Sequence, residues 1–229
     1  GAGYLFVRGG AGWVEQDKLI AADGVANDSL GRSVALSDDA ALAGSFGGPD
    51  KHGAAYLFAL PDQGGDGPDG VRLTASDGTA GDLFGRAVAI DGDTALIGAD
   101  WADIDGNFNQ GAAYVFVRDG EAWVEQAKLT VPEGASSEQF GISVDLSGDT
   151  AVVGGAGEAA YVFTRTGTTW SRQATLTAPQ VTGRDLFGIS VAIDRDTIVV
   201  GAREQQPGRC MGVYPLRAAV VGGSDVDRL

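Results

Sequence analysis

The sequence predicts an all-β fold, a β-propeller of about four four-stranded blades, whose closing blade is shared by the N- and C-terminal strands. Two observations carry this prediction. One strand-rich segment recurs four times, and its anchoring glycines stand 47 to 56 residues apart. No apolar pattern of helical period appears. The recurring segments are 29–45, 83–99, 139–155 and 186–202.

Each copy is expected to supply four short strands. The first ends at an Asp- or Gly-rich turn, such as Asp91–Gly92–Asp93, because these residues tolerate turn backbone. The second is a continuous apolar run such as TALIG, typical of a strand buried between neighbouring blades. The third strands are 53–60, 111–118 and 158–165, and the fourth are 70–74, 123–130 and 170–177.

The two ends of the chain are out of phase with the repeats. Residues 1–22 match only a third and a fourth strand, whereas residues from 186 match a first, a second and a third strand, GVYPLR at 212–217. The N-terminal strands are therefore expected to complete the last blade, which removes exposed sheet edges. The predicted organisation is one domain, 1–217, with repeats near 25–78, 79–134, 135–180 and 181–217, residues 1–24 completing the last blade, and a tail at 218–229.

The amino-acid composition narrows the range of possible binding partners. The formal net charge is −15, from 31 acidic against 16 basic residues. This balance disfavours nucleic acid and anionic membranes, and it is compatible with a cationic partner, with cations or with a solvated acidic surface. No apolar run reaches the roughly 18 residues of a membrane-spanning helix, so no membrane insertion is expected.

The inventory of reactive residues argues against catalysis. Cys210 is the single cysteine and His52 the single histidine, which excludes a disulfide framework and a multi-histidine metal site. The motifs of serine hydrolases, zinc proteases, P-loop proteins and dithiol redox proteins are missing. The sequence therefore predicts a protein that is not an enzyme.

The repeating motifs resemble a known family. LFG…VGA followed by GAAYVF and W-x-x-x-x-KL is similar to FG-GAP repeats, the units of the integrin α-subunit propeller and of many bacterial surface proteins. The resemblance covers residues 1–217 and implies a propeller for extracellular recognition or adhesion, secreted or at the cell surface. Relatives are usually seven-bladed and often carry a DxDxDG calcium loop; here the corresponding turns, such as IDGDTA at 90–95, supply two acids at most, so that calcium site does not carry over.

The loops between second and third strands, here called the variable loops, differ most between repeats, and loops on a rigid scaffold carry function. They are 45–52, 99–110, 155–158 and 203–211. In the second, Asp100, Asp103 and Asp105 are candidate calcium ligands, because calcium prefers clustered oxygens; the alternative is a polar loop with an Asp–Gly turn.

Trp101 and Phe108 lie in the same loop, outside the aromatic positions of the repeat. They can stack on a sugar or enter a partner, or else pack against the blade. The candidate ligand-binding residues are Trp101, Asp103, Asp105, Asn107 and Phe108. We expect a non-enzymatic module that recognises a protein or glycan; the alternatives are a propeller fragment that self-assembles into a homo-oligomer, and a carbohydrate-active enzyme.

Other residues recur with the fold and are therefore expected to be structural. Acid pairs five residues apart precede each FG motif, where a glycosidase-type pair is the competing interpretation. The pairs are Asp23/Asp28, Asp77/Asp82 and Glu133/Glu138; the recurring aromatics are Trp13, Trp123, Trp170, Tyr56, Tyr114 and Tyr161.

Overall fold

The computed structural model describes residues 1–10, 12–48, 52–60, 70–157, 159–177, 186–203 and 217–222. These residues form 17 strands. No helix in the described ranges is long and apolar enough to cross a membrane. The strands are β1 Gly3–Gly9, β2 Gly12–Leu19, β3 Val34–Leu36, β4 Ala40–Ser45, β5 Ala54–Ala59, β6 Val71–Leu73, β7 Ala87–Asp91, β8 Thr94–Ala99, β9 Ala112–Asp119, β10 Ala122–Leu129, β11 Ser143–Ser147, β12 Thr150–Gly154, β13 Ala159–Thr166, β14 Thr169–Thr177, β15 Ser190–Asp194, β16 Thr197–Ala202 and β17 Arg217–Gly222.

The strands form antiparallel sheets in which each strand pairs with its neighbour in sequence. Blade 1 is β3–β6, blade 2 is β7–β10 and blade 3 is β11–β14. A three-stranded C-terminal sheet, β15–β17, and a two-stranded N-terminal sheet, β1–β2, flank them in the chain. This arrangement confirms the predicted all-β propeller architecture.

The core lies between blades, and the second strands are at its centre. On β8, Ile97 faces blade 1 and packs in one cluster with Leu42. The adjacent Leu96 faces blade 3 and packs with Val153. Because successive strand residues point to opposite faces, a strand covered on both sides must be apolar throughout, as TALIGA is.

Glycines at the ends of the second strands let the blades approach closely. A Cβ on Gly98 would overlap the carbonyl oxygen of Gly141 in the next blade. A Cβ on Gly44 would likewise overlap the carbonyl oxygen of Gly85, and a Cβ on Gly154 that of Gly188. The glycine of the repeated VGA motif is therefore required by contact between backbones.

Side-chain oxygens link the first strands of successive repeats, here called the innermost strands. The last residue of each strand, or the residue directly after it in the case of β3, accepts a hydrogen bond from a backbone N–H in the β-turn that follows the corresponding strand of the next repeat. The series makes β3, β7, β11 and β15 consecutive neighbours. It consists of Gly92 N to Ser37 Oγ at 3.1 Å, Gly148 N to Asp91 Oδ2 at 2.6 Å and Arg195 N to Ser147 Oγ at 3.1 Å.

The last strand lies later in the chain than expected. β17 is Arg217–Gly222, and it pairs with β16 from Thr197↔Gly222 to Ala202↔Arg217. The sequence analysis placed this strand at 212–217, of which 212–216 lie outside the described residues, and treated 218–229 as a tail. The observed segment, RAAVVG, ends in small and β-branched residues that suit a strand.

Closure of the ring stays a prediction. Among the described residues, β1–β2 and β15–β17 are two separate sheets. On β3, Val34 and Leu36 are each 65% exposed, whereas Val88 at the equivalent position in blade 2 is buried. Trp13 on β2 is 71% exposed, so the prediction that it packs is wrong. Among the residues that the structure describes, Leu19 is the one member of the N-terminal sheet in the core cluster shared with blade 1.

Candidate functional site

The variable loop of blade 2 is tied to the segments that lead into two blades. These lead-in segments are residues 74–86 for blade 2 and 130–142 for blade 3, and the corresponding segment of blade 1 is 20–32. Trp101 N donates to the carbonyl of Asp82 at 3.2 Å in the first. Phe140 N donates to the carbonyl of Gln110 at 2.9 Å in the second. The loop therefore bridges the two blades and is fixed by both.

A tight turn shapes the middle of this loop. The backbones of Ile104 and Asn107 exchange two hydrogen bonds, of 3.2 and 2.9 Å. Between them, Asp105 and Gly106 both have positive φ, 51° and 87°, as the two central residues of a type I′ turn require. The Asp–Gly pair thus has a conformational role, which is the alternative to metal binding raised by the sequence.

Buried side chains anchor the loop from below. Ala102 and Ile104 belong to the core cluster between blades 1 and 2. Gln110, 1% exposed, accepts a 3.0 Å hydrogen bond from Asn107 Nδ2 and donates to the carbonyl of Val131. The side-chain amide of the candidate Asn107 is therefore already hydrogen-bonded within the protein.

The two aromatic candidates remain accessible on this fixed loop. Phe108 is 71% exposed and Trp101 37% exposed. The carbonyl of Phe108 accepts a 2.8 Å hydrogen bond from Ser137 N, so its backbone is held while its ring faces solvent. Asp103 is also exposed, and its Oδ1 accepts a 2.8 Å hydrogen bond from Asn109 N.

Asp100 lies beneath the loop. Its side chain is fully buried, and neither carboxylate oxygen has a hydrogen-bond partner among the described residues. Arg86 Nε is 3.4 Å from Oδ2. Burial raises the pKa of the Asp100 carboxyl to about 6, and the Arg86 guanidinium only partly opposes this.

The structure does not gather the calcium candidates. Asp100 is buried, whereas Asp103 and Asp105 are on the exposed side of the loop. In the described ranges, no group of three or more His, Cys, Asp or Glu side chains is placed to hold a metal ion. The three candidate carboxylates therefore do not form one site.

The recurring acids hold the recurring tyrosines, which confirms their structural interpretation. In each blade a carboxylate of the lead-in segment accepts a hydrogen bond from the tyrosine of the third strand. A base from the fourth strand joins an acid of the same segment, a partner that sequence reasoning missed. The tyrosine bonds are Tyr56–Asp23 at 2.7 Å, Tyr114–Asp77 at 2.8 Å and Tyr161–Glu138 at 3.1 Å, and the ion pairs are Arg72–Asp23, Lys128–Asp77 and Arg172–Glu133.

Two of the recurring tryptophans also have structural contacts. Arg118 lies over the ring of Trp123, and Arg165 over that of Trp170, each 5.3 Å from the centroid. Their packing role is confirmed. The arginines occupy equivalent positions at the ends of the third strands, and this recurrence is the signal that would have revealed the pairs.

Blade 1 contains a cavity that sequence reasoning did not anticipate. It has a volume of about 160 Å³ and lies between the variable loop and the lead-in segment of that blade. Its lining includes Asp23, His52, Tyr56 and Arg72. Positions 49–51 of the blade 1 loop, position 158 and positions 204–211 of the other variable loops lie outside the described residues.

Blades of four strands, packed through apolar second strands and displaying unequal loops, define a propeller-type repeat protein. The sequence profile of the FG-GAP repeat matches residues 13–58, 69–116, 123–163 and 170–212. The chain belongs to the FG-GAP repeat family, as its motifs indicated.

A solved structure resembles this chain in its fold. The computationally designed Ika4 protein is 14% identical, with a TM-score of 0.51, over 88% of this chain and 96% of the designed one. At this identity the likeness concerns the fold alone. No curated protein matches the sequence.

Proposed function

We propose that this chain is a non-enzymatic binding module that recognises a protein or a glycan through its variable loops. One observation carries the proposal: the loop of blade 2 presents Phe108 and Trp101 to solvent although its backbone is fixed to two blades. Family membership supports an extracellular recognition role, because FG-GAP propellers are typically non-catalytic and commonly extracellular.

The physical argument concerns the entropy of binding. An aromatic ring on a fixed backbone loses little conformational freedom when it is buried by a partner, and it brings a large apolar area. Such residues dominate the energetics of many interfaces. The formal charge of −15 further favours a neutral or cationic partner surface over nucleic acid or an anionic membrane.

The test is a parallel screen of glycan and extracellular-protein arrays. Wild-type protein and a Trp101→Ala/Phe108→Ala double variant are applied under the same conditions. The proposal expects hits that the double variant loses. An identical hit pattern for the two proteins would overturn the role of the blade 2 loop, and no hits with folded wild-type protein would overturn the binding function.

A second candidate function is self-assembly, favoured by apolar side chains that remain exposed on the N-terminal sheet and β3. A second copy could cover this surface and bury apolar area. Light scattering tests it: association that weakens in Trp13→Ser supports it, and a monomer at every concentration rejects it. The exposed residues are Tyr4, Phe6, Val7, Trp13, Val14, Val34 and Leu36.

A further inference from the structure

The cavity of blade 1 lies beside Gly47 and Gly48 of its variable loop. Gly47 N and Gly48 N each donate a 2.9 Å hydrogen bond to the lead-in segment, to the carbonyls of Asp28 and Asn27. A Cβ on Gly47 would overlap the carbonyl oxygen of Asn27. Gly47 and Gly48 therefore bring the backbone close to the lead-in segment, and neither places a side chain in the space beside it.

A change at one repeat position leaves a side chain free for a ligand. The carbonyls of His52 and Gln110 accept equivalent bonds from Phe84 N and Phe140 N, so the two residues correspond. Gln110 is buried and bonded to the next lead-in segment, whereas His52 is exposed and lines the cavity. Blade 1 thus presents an imidazole where blade 2 has a scaffold contact.

The remaining polar groups of the cavity are fixed before any ligand arrives. Asp23 accepts a 2.7 Å hydrogen bond from the Tyr56 hydroxyl, and Arg72 Nε lies 3.3 Å from its other oxygen. Asp28 is 7% exposed and accepts a 3.2 Å hydrogen bond from Leu30 N. Donors and acceptors are therefore held in a set geometry, which lowers the entropic cost of binding.

Size and charge select the class of ligand. Pockets for drug-sized ligands have volumes of about 300–1,000 Å³, so a cavity of about 160 Å³ takes one small ring. The Asp23 carboxylate is paired with Arg72, and that of Asp28 with the N-terminal ammonium of Gly1 at 2.6 Å, so these charges balance and favour a neutral ligand. Val25, 51% exposed, adds an apolar surface to the lining. A neutral, polyhydroxylated ring with an apolar C–H face fits this combination.

We infer that the blade 1 cavity binds a single neutral pyranose unit of a glycan. Hydroxyl groups donate to Asp23 and accept from Arg72, while His52 contacts the ring from the loop side. The inference rests on the proposed binding function and gives it a ligand class and a site. The site is separate in sequence and blade from the Trp101 and Phe108 loop.

The single histidine provides a site-specific probe. The ring signals of His52 are followed by NMR while methyl glycosides of glucose, galactose, mannose and N-acetylglucosamine are added in turn. A saturable shift with at least one of them is expected, with a dissociation constant of about 1 mM, the affinity range of small ligands with few contacts. Sialic acid and choline, one anionic and one cationic, are expected to leave the signals unchanged.

Variants separate this site from its surroundings. Asp23→Asn, with the glycoside that shifts His52, is expected to bind about tenfold more weakly, because one charged acceptor is lost. Asp119→Asn, an exposed acid at the end of β9 in blade 2, is the matched control and should bind as wild type does. His52→Ala is followed through the Gly48 amide and should also weaken binding.

The outcomes distinguish this inference from the function on which it rests. No His52 shift with any neutral glycoside, or a shift only with a charged ligand, overturns the pyranose site whatever the arrays show. A wild-type response in Asp23→Asn also overturns it. Conversely, a His52 shift together with arrays insensitive to Trp101 and Phe108 supports this site and rejects the blade 2 loop as the binding surface.

Discussion

The hydroxyl of Tyr114 donates a 2.8 Å hydrogen bond to Oδ1 of Asp77, while Lys128 Nζ lies 2.7 Å from Oδ2 of the same carboxylate. Burial, followed by this carboxylate, raises the pKa of the Tyr114 hydroxyl, so the tyrosine stays the donor. The third and fourth strands of blade 2 are thereby fixed to the segment that precedes the blade. That segment also accepts the bond from Trp101 N, so the contact helps to position the variable loop.

Tyr114→Phe should lower the free energy of unfolding by about 1–2 kcal/mol, because a hydrogen bond to a charged group is lost. The measurement is urea denaturation followed by fluorescence. Tyr4→Phe is the matched control: Tyr4 lies at the equivalent repeat position on β1 but is 54% exposed. Its effect should stay within about 0.5 kcal/mol, and equal losses in both variants would contradict the assigned role of Asp77.

Gly98→Ala should be destabilising by about 3 kcal/mol, since the added methyl group would displace the backbone of the next blade. The methyl would overlap the carbonyl of Gly141, whereas a Cβ at Gly10 meets nothing within 4 Å. Gly10→Ala is therefore the control and should leave the thermal midpoint nearly unchanged. Similar midpoints for the two variants would show that the blades are not in backbone contact at Gly98.

Repetition explains why most of the fold could be predicted from the sequence. The apolar run at 94–99 could only be a strand covered on both faces, and the Asp91–Gly92–Asp93 turn separates it from the first strand. The end segments were harder to predict, because each of them matches only part of a repeat. Trp13 occupies a repeat position but lacks the surroundings that pack Trp123, and β17 lies in a segment without the AAY motif.

The candidate site was predictable in part. Exposure of Phe108 follows from its position outside the repeat pattern, and the Asp105–Gly106 turn follows from local chemistry. The burial of Asp100 does not follow from the sequence, because it depends on how the loop folds over the blade. The cavity of blade 1 depends on side chains that are missing at Gly47 and Gly48, and a missing side chain leaves no motif.

Asp100 should make stability depend on pH. Its pKa in the folded protein is about 6, above the ordinary value of 3.8, so between these values the folded protein holds a proton that the unfolded chain has released. The free energy of unfolding therefore falls as the pH rises through this window and levels off above about pH 6. The contribution that is lost is about 3 kcal/mol.

The comparison with Asp100→Asn isolates this effect, because the amide does not titrate and the other acids are common to both proteins. The difference in unfolding free energy, wild type minus variant, should decrease by about 3 kcal/mol between about pH 4 and pH 7. A constant difference across that range would mean that Asp100 is solvated in the folded protein.

Ring closure predicts one further contact in the series of innermost strands. Gly148 N donates to Asp91, and Arg195 N donates to Ser147, so Asp194 is the next acceptor and Asp38 N the next donor. In a Cys210→Ser background, Asp38→Cys with Asp194→Cys should form a disulfide within one chain on oxidation. Ser147→Cys with Arg195→Cys is the positive control.

Non-reducing gel electrophoresis shows whether the cross-link has formed. A faster-migrating monomer for both cysteine pairs supports closure. A covalent dimer for the 38/194 pair would instead show that two copies meet at these strands. Free thiols in that pair, with the control pair oxidised, would show that the ring stays open.

The central claim is that the variable loops form the binding surface, and a comparison of affinities tests it most directly. Wild type, Phe108→Ala and Val124→Ala are measured by biolayer interferometry against the strongest array ligand; Val124, 42% exposed on the fourth strand of blade 2, is the matched control. The account predicts that Phe108→Ala weakens binding tenfold or more, by about 1.4 kcal/mol at least, and that Val124→Ala binds as wild type does. An unchanged affinity for Phe108→Ala, or an equal loss for Val124→Ala, would contradict it.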